Sequence, residues 1–269
     1  MKNFKNIPML LISSFFSFNL AAQAIDKAGT NPGDKITSSK IQEIIDNVNE
    51  IKEKAPTITR YTSGSGTYTV PANVKYIIVE MVGGGGGGSG GGTSSSFSVG
   101  ASGTDSIFGD SLLIAERGHG GREGDIAQSG SGYTVNPPAV NIASAYGSYG
   151  QGFDMAANGG VGSTRGGSGG SSFFGGSGHG VADRAGTPAR PNSGSGGGGG
   201  GTNFSSTNAR GGGGGSAGGY IKAMISAENL ESSYTYSIGN GGAGSSAGAN
   251  GYPGGSGGSG VIIITEYYN

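Results

Sequence analysis

Cysteine is absent from the 269 residues, so disulfides and lipid attachment through cysteine are both excluded. Proline is scarce, with 9 residues, and no Gly-X-Y repeat is sustained, which rules out a collagen-like triple helix. Charged residues make up 12% of the chain and form no basic stripe. Nothing is therefore available to neutralise a run of phosphates, and nucleic acid is not an expected partner. Apolar runs are short as well. The longest spans residues 9–20, well under the roughly 20 residues a spanning helix needs, so no membrane span is expected.

That apolar run has the features of a secretory signal. Lys2 and Lys5 precede it, and Ala22-Gln23-Ala24 follows as an A-x-A cleavage site. The expected product is secreted or at the cell surface, beginning at Ile25. Without Lys2 and Lys5 it has 14 basic side chains against 17 acidic ones, a net charge of −3. The expected organisation is a signal peptide at 1–24, an extended leader at 25–36, an amphipathic helix at 37–55 and a glycine-rich domain at 61–269.

Glycine dominates what is present. Of 62 glycines, all but Gly29, Gly33, Gly64 and Gly66 lie between Gly83 and Gly260. Many stand in unbroken runs: 83–88, 196–201 and 211–215. Glycine loses more backbone freedom on folding than any other residue. Such runs either stay disordered, as flexible linkers do, or are ordered by bonds between backbones.

Ahead of the glycines, Thr37-Ser38-Ser39 offers a helix cap. Ile41, Ile44, Val48 and Ile51 follow at a/d heptad spacing, with Ile45 widening the stripe. Two heptads are too short to be stable alone. The stripe either packs on its own domain or joins copies of the chain, an Ile-rich seam favouring a trimer. Strand-like runs follow at 67–70 and 75–82 and return only near the other end, at 220–226, 234–238 and 261–268. Ile77, Val79 and Met81 alternate onto one face, whereas 261–268 is apolar on both. These runs bracket the glycines and are expected to pair across them.

Ordered glycine tracts have a natural geometry. The polyproline-II conformation has three residues per turn and no internal hydrogen bonds, so each N–H and C=O points sideways. A chain without Cβ atoms can then pack against several neighbours. Residues 83–92 would extend about 31 Å and 211–219 about 28 Å at ~3.1 Å per residue, matched lengths for stacked rods. In repeats such as 166–171 and 254–260 the serine at every third position is expected to face outwards. The fold class expected is mainly β: a small β-framework from the two ends of the domain, carrying packed polyglycine-II helices and loops, preceded by one short α-helix.

The run TSGSGTYTVPANVKYIIVEMVGGGGGGSGGG at 62–92 resembles the start of glycine-rich domains in bacteriophage tail-fibre proteins and related bacterial proteins. The closing pieces SAGGYIKAMIS, YTYSIGNGGAG and GGSGGSGVIIITEYY look similar too, so the likeness covers about 61–269. It implies a β-framework with glycine-rich inserts. In the tip adhesins of T-even-like phage tail fibres, comparable tracts form packed polyglycine-II helices and variable loops between them grip the receptor. A phage fibre needs no signal peptide, so the resemblance implies a bacterium exporting a fibre-like domain.

Chemistry-bearing motifs are weak. Gly166–Gly170 and Gly254–Gly258 fit G-x-S-x-G without the strand-turn-helix setting of a nucleophile elbow, and repeated G-x-G-x-x-G matches lack a βαβ unit. His119, within the charged run 116–125, and His179 each sit between glycines without further ligands at metal-site spacing. No catalytic residue, metal or cofactor is expected, and the Asn203-Phe204-Ser205 sequon is read as coincidence. The better candidates are aromatic: Tyr133, Tyr146, Tyr149 and Phe153 in one segment, Phe173 and Phe174 in another, Phe204 in a third. Such side chains either cap the small core or provide flat recognition area at low entropy cost. The expectation is an exported non-enzymatic adhesin binding a cell-surface glycan or outer-membrane protein. A self-associating matrix component built on Ile41, Ile44, Val48 and Ile51 is the alternative, and ice binding by a flat polyglycine-II face a minor one.

Overall fold

The computed structural model describes residues 37–53, 55–93, 99–122, 132–152, 164–203 and 209–268; the signal and leader segments lie outside them. Contacts divide the chain into two units, one of which is Thr57–Glu266. In the other, α1 (Ser38–Glu53) begins where the sequence offered a cap. Thr37 Oγ1 accepts from Lys40 N at 3.3 Å, and Thr37 O accepts from Ile41 N at 3.0 Å, satisfying two N–H groups of the first turn. Ile41 is 48% exposed and Ile45 45%, with Ile44 and Val48 half-buried. Ile51 is helical, but its side chain lies outside the description.

Two antiparallel five-stranded sheets open the Thr57–Glu266 unit. The first, in spatial order, contains β1 (Thr57–Tyr61), β10 (Val261–Tyr268), β3 (Val74–Val82), β8 (Tyr220–Ser226) and β7 (Val140–Ala145). The second contains β2 (Ser65–Thr69), β9 (Ser233–Ser237), β4 (Ser106–Phe108), β5 (Leu113–Ala115) and β6 (Tyr133–Val135). The two ends of the chain do pair across the glycines: Val79 sits opposite Ala223, and Tyr68 opposite Tyr234. Strand alternation puts Ile77, Val79 and Met81 of β3, Ile221 and Ile225 of β8, and Ile262 and Ile264 of β10 into one core. Tyr68, Phe108, Leu113 and Tyr234 of the second sheet join them. Strand β10 lies inside its sheet as its composition implied. It alternates nonetheless, with Ile263 and Thr265 only half-buried. Strands β1 and β4–β7 fall outside the strand-like runs that the sequence showed for the other five.

The glycine tracts grow out of these strands. Residues 83–92 continue β3, 209–219 run into β8, and 251–260 run into β10. Along 83–92 the N–H groups address three neighbours in rotation, except that Gly90 N donates to Ser245 Oγ at 2.8 Å. Gly83, Gly86, Ser89 and Gly92 donate to Gly219, Ser216, Gly213 and Arg210. Gly84 and Gly87 donate to Thr104 and Ala101, while Gly85, Gly88 and Gly91 donate to Gly258, Gly255 and Tyr252, all at 2.9–3.1 Å. The carbonyls serve three further neighbours: Gly118 and Gly121, Gly197 and Gly200, and Gly242, Ser245 and Gly248. A repeat of three with bonds only to other segments is polyglycine-II packing. The three neighbours receiving its N–H bonds run antiparallel to 83–92, and the three donating to it run parallel.

Glycine is needed here for its missing Cβ. A Cβ at Gly85, Gly86 or Gly87 would lie 2.0, 1.9 or 2.1 Å from a neighbouring carbonyl oxygen. Left-handed φ is confined to Gly64, Gly109, Gly175, Gly176 and Gly194 among the described glycines, so the tracts do not use glycine's conformational freedom. Glycine spacing reports how many sides of a rod are covered. Segment 147–152 lies at the margin, where Gly147 and Gly150 are buried while Ser148, Tyr149 and Gln151 face out. A glycine at every third position suffices there.

Stretches of ordinary composition also supply rods: 100–104, 116–122 with His119, and 147–152 all bond into the bundle. The serines of the repeats 166–171 and 254–260 are exposed or half-buried, as expected, while serines of other tracts lie inside. Ser256 is exposed and Ser168 and Ser259 are half-buried, but Ser89, Ser195 and Ser216 are fully buried. Their hydroxyls stand in for lattice carbonyls: Ser89 Oγ accepts from Gly213 N at 2.8 Å and Ser216 Oγ from His119 N at 2.7 Å. Ser89→Ala should orphan a buried N–H and cost about 1–3 kcal/mol. Ser256→Ala should stay within about 0.5 kcal/mol, both read from urea unfolding.

Candidate functional site

Among the described residues, the rods fix where the chain enters and leaves the bundle. Because 83–92 starts at Val82 and its neighbours keep register with it, Gly92 and Arg210 pair at the end remote from the sheets. There the chain leaves one rod and enters the next at 92 and 100, 152 and 164, 202 and 209, and 248 and 251. Arg165, Arg184 and Arg210 are exposed at that end.

The aromatic candidates fall into separate groups nearer the sheets. Tyr133, on β6, packs partly against the core, and its ring lies 5.6 Å from that of Tyr146 at 55°. Tyr146 itself is 72% exposed. It follows the last residue of β7, Ala145, which pairs with Tyr220. Tyr149 projects from the marginal rod and is 61% exposed. Phe173 and Phe174 form a turn beside Tyr220, the first residue of β8. Phe173 stacks on that ring at 3.9 Å and 16° while remaining 64% exposed, and Phe174 meets both rings edge-on. Core packing and exposure thus divide the set: Tyr133 and Phe174 are half-buried, whereas Tyr146, Tyr149 and Phe173 face solvent. Phe153 and Phe204 lie outside the described residues.

Tyr220 was not legible as a partner, since its position at a strand start after two glycines says nothing about the turn that covers it. Its hydroxyl donates to Glu80 Oε1 at 2.7 Å, and Lys222 Nζ lies 3.6 Å from Glu80 Oε2. Burial, and then the Glu80 carboxylate, hold the phenol far above its ordinary 10.0. This ring therefore stays neutral and fixed, a floor for Phe173.

Among the described residues, no group of three or more His, Cys, Asp or Glu is placed to hold a metal ion. No helix among them is long and apolar enough to cross a membrane. Compared with known protein families and with curated proteins, the chain matches no family model and no individual protein.

Proposed function

We propose that the protein is an exported, non-enzymatic, fibre-like adhesin that binds a glycan or an outer-membrane protein on a neighbouring cell. The observation that carries this reading is the rod bundle, which delivers successive chain connections to one end of a rigid scaffold. Recognition segments on rigid frames are a common way to combine adaptable contacts with low ordering cost. Exposed Arg165, Arg184 and Arg210 suit an anionic cell surface, and exposed Tyr146, Tyr149 and Phe173 add flat apolar area. The likeness of 61–269 to tail-fibre domains points the same way.

Labelled protein should bind whole bacterial cells saturably. Combined Tyr146→Ala, Tyr149→Ala and Phe173→Ala should weaken that binding by at least about tenfold, or about 1.4 kcal/mol. No binding to any of a broad panel of intact cells would refute the reading. A second reading, self-association through α1, draws on the exposure of Ile41 in the a/d stripe and of Ile45 beside it. A strictly monomeric mass in light scattering would exclude it.

A further inference from the structure

The outward face of the second sheet carries a groove used by neither the aromatic groups nor the rod ends. Strands β4 and β5 set Ile107 directly opposite Ile114. Both are half-buried, on the face opposite Phe108 and Leu113. Two hollows flank this pair. The one towards the rods, about 290 Å³, is lined by Ile114, Asp105, Glu116, Arg117 and His119. The one towards the β4–β5 turn, about 450 Å³, is lined by Ile107, Asp110, Ser111, Thr235, Tyr236 and Ser237. Each is close to or within the size range of small-molecule sites, roughly 300–1,000 Å³.

The polar rim is held in place. Asp105 Oδ1 accepts from Arg117 N at 2.9 Å and lies 3.5 Å from the guanidinium. Glu116 Oε2 accepts from Gly132 N at 3.0 Å. At the other end Thr235 Oγ1 donates to Asp110 Oδ1 at 2.6 Å. The turn runs through three consecutive left-handed residues, Gly109, Asp110 and Ser111, at φ 66°, 45° and 85°. Serine rarely adopts that conformation, and Asn136 Nδ2 holds the Ser111 carbonyl at 2.9 Å. Backbone outliers of this kind gather at ligand clamps.

We propose that this groove binds a neutral oligosaccharide. Three carboxylates face one guanidinium, so an anionic ligand is repelled. Carboxylates, hydroxyls, a guanidinium and an imidazole offer the mixed donors and acceptors that sugar hydroxyls require. The Ile107–Ile114 pair gives the C–H face of a sugar ring an apolar floor. An extended peptide fits less well. Strands β4 and β5 are paired on both sides, so neither has a free edge for strand addition. The groove shares no residue with Tyr146, Tyr149 or Phe173, and it stands independently of the adhesion reading.

Calorimetric titration with neutral hexose and N-acetylhexosamine oligosaccharides, their uronate-bearing counterparts and uncharged peptides tests it. A neutral saccharide should bind, and the uronates should bind at least about tenfold more weakly. Ile114→Glu should weaken binding by a similar factor. So should Asp110→Asn, which keeps a side chain tolerant of left-handed backbone. Both variants should retain the thermal midpoint. Capture of no neutral saccharide overturns the proposal, as does preference for uronates or peptides, or unchanged affinity in correctly folded variants. Cells bound equally by wild type and both variants, with no saccharide captured, overturn the groove alone. Saccharide capture lost in the variants supports it whatever the cells show.

Discussion

Gly86→Ala should destabilise the Thr57–Glu266 unit by about 4 kcal/mol or more, enough to unfold a domain of ordinary stability, about 5–15 kcal/mol, at moderate temperature. The new Cβ would lie 1.9 Å from the His119 carbonyl oxygen, 2.3 Å from its carbon and 2.8 Å from Gly120 N. All three are backbone atoms, so no side chain can swing aside. Nor can the neighbouring rod withdraw freely. Gly118 N bonds to Gly84 O, Gly121 N to Gly87 O and His119 N to Ser216 Oγ. Moving segment 116–122 by the width of a methyl group breaks several of these and strands buried amides, each at about 1–3 kcal/mol. Ala101→Ser, on an adjoining rod at an exposed position, is the control and should change stability by no more than about 0.5 kcal/mol. Urea unfolding of the three proteins measures this. A Gly86→Ala midpoint equal to wild type would mean that the rods are not packed as described.

The second large effect belongs to the sheets. Phe108→Ala should cost about 3–5 kcal/mol. Phe108 is fully buried, stacks on Tyr234 with ring centres 4.9 Å apart, and lies 6.2 Å from Tyr68. Its strand is the direct continuation of rod 100–104, whose Ala101 and Thr104 carbonyls accept from Gly87 and Gly84. A cavity between the sheets should therefore also speed amide exchange at Gly84 and Gly87, about 20 residues earlier in sequence and in a region with no apolar core. Proton-exchange NMR on the variant reads this coupling. Lowered stability with unchanged exchange at those glycines would show that sheets and rods open independently.

How much of this was legible depends on what each segment had to satisfy. Strands β3, β8 and β10 are rich in β-branched, aromatic and other apolar residues because the core needs them, and they were legible to within a residue. Strands β4–β6 are three residues long. Nothing in SIF, LIA or YTV separates them from a link, and their strand character comes from pairing with β9 and with each other. The rods divide in the same way. A six-glycine run, once ordered, can touch neighbours on every side, so 83–88 was legible as a candidate rod. Peripheral rods such as GASGT and GSYGQG need glycine only where they meet the bundle, and the pattern is too sparse to read without the neighbour in view. Of the aromatic candidates, the residue types were evident, but Tyr220 under Phe173 depends on a turn that folds back from a different rod.

Composition and periodicity by themselves determined that no disulfide would hold the chain, that strand-like runs would bracket the glycines, and that the densest glycine runs would be either disordered or rods. Tertiary structure alone decided which rods adjoin, which serines lie inside the lattice, and which aromatic rings face solvent. The physical reason is that a missing Cβ permits close approach from any side. It says how near a neighbour can come, not which neighbour comes.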